Sequence, residues 1–291
     1  MMIETPWRAL TWQAADGLSL FGKIWPGTSP LPPVLCLPGM TRSSNDFDSL
    51  AAFLSSPEGG GRTVLCFDLR GRGRSGFSDP STYNILQEAD DIARGLKAAG
   101  VEQAVFIGTS RGGLVSMTMA LLHPELIRAT VLNDIGPVIG VHGLARIIGY
   151  IGKAPPEEWG EAVACLQRGQ GDSFPDLDAA GWERYARQLY RVEGERTVLD
   201  YDPALAIAFQ AFDPSKPLPD LWPAFDALAA KPVLMVHGRL SDILTDEGLA
   251  EVTARHPGVQ VWQIPDEGHA PLLWDAPTQT RIASFIAEAA S

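Results

Sequence analysis

The sequence predicts an α/β protein, a mostly parallel sheet with helices on both faces and one helical insertion. Two observations carry this. Short apolar runs alternate with helical periodicity through the first 135 residues and again after residue 223. Between them, residues 136–223 show helical patterns and no convincing strand. Strands that alternate with helices require crossovers, which are right-handed and leave the strands parallel.

The elements follow in order. Residues 8–14 and 18–25 alternate apolar and polar side chains around Ala15-Asp16-Gly17, the pattern of a hairpin. Residues 33–37 form a short apolar run, followed by a helix over 45–54 in which Phe47, Leu50, Ala51 and Leu54 share a face. Strand 63–67, helix 85–99, strand 103–107, helix 112–122 and strand 129–132 continue the rhythm. In the insertion, Leu144, Ile147, Ile148 and Ile151 share one helix face, as do Trp182, Tyr185, Leu189 and Tyr190. The rhythm resumes with strand 232–236, helix 246–255, strand 259–264 and helix 278–289. The expected organisation is therefore a core of residues 1–135 and 224–291 with a helical cap of residues 136–223.

Composition narrows the function classes. Apolar residues make up 45% of the 291 and charged ones 20%, which suits a large core and excludes a disordered chain. With 23 basic against 35 acidic residues the formal charge is −12. That sign opposes attraction to nucleic acid or anionic lipid and points to a small-molecule substrate. Cys36, Cys66 and Cys165 have no metal-like spacing, and the first two lie in apolar strand-like runs, as buried thiols do. Residues 1–10 carry Glu4, Pro6 and Arg8 and lack the apolar run of a leader, and no stretch is long and apolar enough to span a membrane. A cytoplasmic protein with neither metal nor cofactor is the expectation.

The strongest chemical signal is Gly108-Thr109-Ser110-Arg111-Gly112, set between a predicted strand and a predicted helix. It matches G-x-S-x-G, a sharp turn that lifts a serine hydroxyl above the sheet. Ser110 is the candidate nucleophile. The Arg111 amide, at the positive end of a helix, would face the charge that develops on a substrate oxygen. A second donor is expected from the Met40 amide in Leu37-Pro38-Gly39-Met40.

A serine hydroxyl needs a base. Among five histidines, His123 and His256 precede prolines at helix ends, His142 sits in the insertion, and His237 follows a strand as a candidate turn residue. His269 lies in the loop after the last strand, where sites of parallel sheets assemble, and is the expected base. Two acids contend to orient it. Asp242, after strand 232–236, is favoured because the acid most often follows that strand. Asp134, ending strand 129–132, is the alternative, or else a residue that secures the insertion's entry or pairs with Arg111.

One motif misleads. Gly71-Arg72-Gly73-Arg74-Ser75-Gly76 fits G-x-G-x-x-G, but a loop follows where a dinucleotide site needs a helix. Arg70, Arg72 and Arg74 suggest a phosphate patch that the acidic charge argues against. The same stretch, from Asp68 to Ser75, resembles the D-x-R-G-x-G-x-S segment of the α/β-hydrolase superfamily. The resemblance covers nearly the whole chain and implies an eight-stranded, mostly parallel sheet, with an oxyanion turn, nucleophile elbow, acid and histidine at Leu37–Met40, Ser110, Asp242 and His269. The chain is similar to capped carboxylesterases, lactonases and carbon–carbon hydrolases. It departs from the family in Leu-Pro-Gly where many members have His-Gly, and in Arg111.

The resulting expectation is hydrolysis of a carboxylic ester or lactone through an acyl-enzyme. The insertion's aromatics Trp159, Trp182, Tyr185, Tyr190 and Phe209 would mostly pack, with some forming an apolar pocket. Two alternatives stand: a carbon–carbon hydrolase acting on a diketone, with Arg111 at a substrate carboxylate or more readily in an ion pair, and a slow-turnover receptor.

Overall fold

The computed structural model describes residues 6–289. Residues 1–5, half of the stretch read for a leader, lie outside the described residues. Eight strands form one sheet in the order β1-β2-β4-β3-β5-β6-β9-β10. These are β1 (Arg8–Gln13), β2 (Ser19–Trp25), β3 (Val34–Leu37), β4 (Val64–Phe67), β5 (Ala104–Thr109), β6 (Ile127–Asn133), β9 (Val233–Gly238) and β10 (Gln260–Ile264). The hairpin strand β2 runs antiparallel to β1 and β4, and the other neighbours are parallel.

The central strands β3, β4, β5 and β9 are buried at every position, so their sequences are continuous apolar runs rather than alternating ones. One face is covered by α2 (Ile85–Ala98), α3 (Arg111–Leu122), α7 (Trp222–Ala229) and α8 (Asp246–Arg255), whose apolar residues join a core with Leu35, Phe106 and Met235. The other is covered by α1 (Asp48–Ser55) and α9 (Ala276–Ala289), packed on Val34, Val105 and Leu234. Each large apolar side chain so buried contributes about 1.5–3 kcal/mol.

Between β6 and β9 the chain forms α4 (Val141–Ile148), α5 (Trp159–Gln170) and α6 (Ala179–Leu189), then β7 (Tyr190–Glu193) and β8 (Arg196–Leu199). The hairpin β7–β8 corrects the expectation of a strandless insertion. Its strands are four residues long, and only Thr197 among their eight residues is buried. Arg191, Glu193 and Arg196 therefore occupy positions where a strand pattern would show apolar residues. Gly194, at φ 61°, supplies the left-handed residue of the two-residue turn. Phe174, Trp182, Tyr185, Leu166 and Leu272 form a small separate core that joins α5 and α6 to the loop after β10.

Candidate active site

Parallel registration sets the site. Thr109 pairs with Asn133 and Asn133 with Val236, so the chain leaves β5, β6 and β9 at the same level of the sheet. Ser110, Asp134 and the loop after Gly238 thus emerge side by side.

Ser110 joins β5 to α3 with φ 49° and ψ −111°, a backbone conformation that L-residues rarely adopt. Its N–H donates to the Asn133 carbonyl at 3.0 Å, which ties the turn to β6. The glycines are a steric requirement. A Cβ on Gly112 would stand 2.1 Å from the Leu37 carbonyl oxygen, and one on Gly108 would stand 2.6 Å from Gly112 backbone atoms. The helix can press against the end of β3 only because both side chains are absent.

His269 is held on both ring nitrogens. Nδ1 lies 2.8 Å from Asp134 Oδ2 and Nε2 lies 2.9 Å from Ser110 Oγ. With the proton on Nδ1 donated to the carboxylate, Nε2 is free to accept the serine hydroxyl proton. Asp134 is fully buried, and its own φ is 56°. Its Oδ1 accepts the Gly238 N–H at 3.0 Å and its Oδ2 accepts the Ser241 hydroxyl. A buried carboxylate is tolerable only when so supplied with donors.

Asp242, the acid expected from sequence, is not the partner of His269. It accepts two hydrogen bonds at 2.7 Å each from Nε and Nη2 of Arg146 on α4. Burial acts to raise its pKa, but the Arg146 hydrogen bonds and charge bring it below the ordinary value. The error has a local cause. Ser241, one residue earlier, turns its hydroxyl to Asp134, and Asp242 is left at the edge facing the insertion with 39% of its side chain exposed.

The residues expected at the oxyanion are arranged differently. Gly39 lies against Ser110, a Cβ there being 3.9 Å from Ser110 Cβ, and Met40 lines the cavity beside Ser110. Arg111 opens α3. Its guanidinium does not pair with Asp134. Nε donates to Glu88 at 2.7 Å and Nη2 to the Tyr83 carbonyl at 3.3 Å. The other arginines read as a phosphate patch are scaffold. Arg70 is paired with Asp91 and Asp16, Arg72 with Glu88, and Arg74 stacks on Trp7 and Phe21. No helix opens at the Gly71–Gly76 turn, where α2 begins only at Ile85.

Three of the remaining histidines have other neighbours. His256 contacts Asp226, His123 lies 3.6 Å from Glu125, and His237 is buried inside β9 beside Gln263 rather than in a turn. His142 sits on α4. The three cysteines are free thiols. Among the described residues no cluster suits a metal ion, and no helix is long and apolar enough to cross a membrane.

The Ser110–His269 pair opens into a cavity of about 380 Å³ between the sheet edge and the insertion. Leu166, Tyr185, Tyr190 and Leu272 give it an apolar wall. Arg42, which donates to Asp46 at 2.8 Å and Gln188 at 2.9 Å, gives it a polar one. Desolvation pushes the Tyr190 hydroxyl up to about 12, so it stays a neutral hydrogen-bonding group. Asn133 escaped sequence reasoning. Its side-chain amide donates to Thr109 Oγ1 at 3.0 Å and to the Pro271 carbonyl at 2.9 Å, fastening the His269 loop to the elbow strand. A polar residue ending an apolar strand was the only signal for it.

Residues 32–276 match the family model described as alpha/beta hydrolase fold. The chain belongs to that family. This hydrolase is 34% identical over 262 residues to the 3-hydroxybutyrate-oligomer hydrolase of Cupriavidus necator, covering 86% of each chain. It is 27% identical to the 2-(acetamidomethylene)succinate hydrolase of Mesorhizobium japonicum, over 84% of this chain and 82% of that one. Among solved structures, an alpha/beta hydrolase from Novosphingobium aromaticivorans superposes with a TM-score of 0.90 at 39% identity, covering 98% of this chain and 99% of the other. Like its family, this hydrolase is an enzyme.

Proposed function

We infer that this hydrolase cleaves carboxylic esters through an acyl-enzyme, with Ser110 as nucleophile, His269 as base and Asp134 as the acid. The observation that carries the reading is the continuous row Ser110 Oγ–His269 Nε2 at 2.9 Å and His269 Nδ1–Asp134 Oδ2 at 2.8 Å. Ser110 attacks the carbonyl as His269 takes its proton. Asp134 holds the imidazole in the required tautomer and stabilises the imidazolium that forms. The Met40 and Arg111 amides receive the oxyanion, and His269 then returns the proton to the leaving alcohol. Water repeats the sequence on the acyl-enzyme. Residues 136–223 act as the cap whose side chains select the substrate.

For the substrate class we favour short oligoesters of hydroxy acids. The Cupriavidus relative is named for 3-hydroxybutyrate oligomers, whose units are joined by ester bonds. The cavity has the volume for a few such units. Its paired apolar and polar walls suit a chain that alternates methyl groups with carbonyls.

The test is a fluorophosphonate label followed by turnover of 3-hydroxybutyrate dimers and trimers, simple p-nitrophenyl esters, lactones and a diketone. Labelling at Ser110 and loss of ester turnover in Ser110→Ala are expected. Ester turnover that survives in Ser110→Ala removes the nucleophile. Diketone cleavage without ester cleavage shifts the reading to carbon–carbon hydrolysis. A rate under about 0.01 per second on every substrate would favour a receptor.

A further inference from the structure

Two backbone amides, those of Met40 and Arg111, are assigned above to the oxyanion, and they come from distant parts of the chain. Catalysis by such donors depends on their being fixed before charge develops. A glycine-containing turn such as Pro38-Gly39-Met40 does not fix itself, because its peptides rotate easily.

The structure contains a buried chain of charged groups that runs from one donor residue to the other. Arg72 is fully buried, and its Nε donates to the Met40 carbonyl at 2.9 Å. Its Nη1 donates to the Arg70 carbonyl at 2.6 Å and to Glu88 Oε1 at 2.9 Å. Glu88, on α2 and also fully buried, accepts Arg111 Nε on its other oxygen at 2.7 Å. Arg111 then opens α3, one residue after the nucleophile. On the turn itself the Gly39 carbonyl accepts the Arg42 N–H at 3.3 Å. In a planar trans peptide the next N–H points the opposite way, so this bond aims the Met40 amide.

We propose that Arg72, Glu88 and Arg111 are positioning residues that hold the two oxyanion amides in register, with Glu88 as the link between them. The inference rests on the ester-hydrolase reading above. Three observations set this triad apart from an ordinary buried ion pair. Both ends of the chain terminate on the two donor residues and nowhere else in the site. Glu88 uses one oxygen for each arginine, which a purely stabilising pair does not need. Two guanidiniums against one carboxylate leave an excess of one positive charge between the two donor residues, a sign that favours an anion over the neutral ester. Burial acts to raise the Glu88 pKa, but the Arg111 and Arg72 charges bring it below its usual value, so the link is ionised in the working enzyme. The geometry also gives a use to two sequence features without one, the Arg-Gly-Arg-Gly-Arg turn and the uncommon arginine after the nucleophile.

The test compares Arg111→Met, Arg111→Lys and Glu88→Gln with wild type on one ester. Arg111 is at the partly exposed end of the triad, so Arg111→Met leaves a one-to-one Arg72–Glu88 pair and is the variant expected to fold even where Glu88→Gln does not. We expect kcat to fall about 10- to 100-fold in Arg111→Met, short of the loss from deleting a donor outright, with KM changed less than threefold. Affinity for a trifluoromethyl ketone, which forms an oxyanion on Ser110, should fall by the same factor. Affinity for the corresponding unreactive alcohol should not move, and Arg111→Lys should recover part of the loss.

An unchanged kcat in Arg111→Met, whatever its melting temperature, overturns the proposal. A parallel loss of ketone and alcohol affinity does so too, since it marks general distortion. So does a rise in KM confined to anionic esters, which would make the guanidinium a substrate ligand. Each of these is read in an enzyme that still needs Ser110. Ester turnover surviving Ser110→Ala would instead remove the underlying reading.

Discussion

At the scale of single residues the acid is where chemistry and motif order part company. Both aspartates follow strands at the same sheet edge, and chain order is equally satisfied by Ser110-Asp134-His269 and Ser110-Asp242-His269. What separates them is donor supply. Asp134 receives Gly238 N–H, the Ser241 hydroxyl and His269 Nδ1, whereas Asp242 is engaged by Arg146 on both oxygens. Asp134→Asn should therefore lower kcat by about 10⁴-fold, since an amide stabilises the wrong imidazole tautomer. Asp242→Asn should stay within a fewfold of wild type, and stopped-assay kinetics on one ester decide between them. The reverse ranking would return the acid to Asp242. Ser110 and His269 were legible in the sequence because each sits in a local pattern, a strand-turn-helix elbow and a loop after the last strand. Asp134 was legible only as a candidate, because its role depends on Gly238 and Ser241, more than a hundred residues away.

At the scale of elements, sheet and helices were readable wherever burial is complete. The central strands are buried at every position, and their largely apolar runs stand out in the sequence. The hairpin β7–β8 was not readable, because its exposed side chains carry no burial signal. The loop from β10 to α9 holds His269 by contacts that sequence cannot show. The Leu240 N–H donates to the Glu267 carbonyl at 3.1 Å, the Gly268 N–H to the Ser173 carbonyl at 2.7 Å, and the Leu272 N–H to Glu267 Oε2 at 2.8 Å. Burial, with the charges of Asp275 and Asp266 adding, pushes the Glu267 carboxyl up from 4.5 to about 7. The folded state thus binds this proton more tightly than the unfolded chain. Its contribution is full below pH 4.5 and is lost as the pH rises to about 7. Glu267→Gln keeps an acceptor for Leu272 and removes that loss. Denaturant unfolding should show the variant equal to wild type near pH 4.5, and more stable by up to about 3 kcal/mol at pH 8. A constant difference across that range would contradict the assignment.

At the scale of the whole molecule, the ties between the sheet and the inserted segment set how firmly the segment is held over the cavity. Polar side-chain and bridge ties that cross between them include Arg42 to Gln188, Tyr83 to Asp202, a backbone bridge from Arg72 to Tyr201, and Arg146 to Asp242. The first three leave at least one partner deeply buried and should be insensitive to salt. Arg146 and Asp242 are 32% and 39% exposed, so solvent screens their pair and its net stability contribution is about 1 kcal/mol or less. It is the tie best suited to form and break during turnover. Arg146→Ala should scarcely change the melting temperature. If α4 moves with the inserted segment, KM for an ester long enough to touch the insertion should rise severalfold, with KM for a p-nitrophenyl acetate unchanged. Raising ionic strength should shift wild-type KM toward that of the variant and leave the variant itself unmoved, since screening acts on a pair it no longer has. Equal salt dependence in both proteins would place the opening motion elsewhere in the insertion.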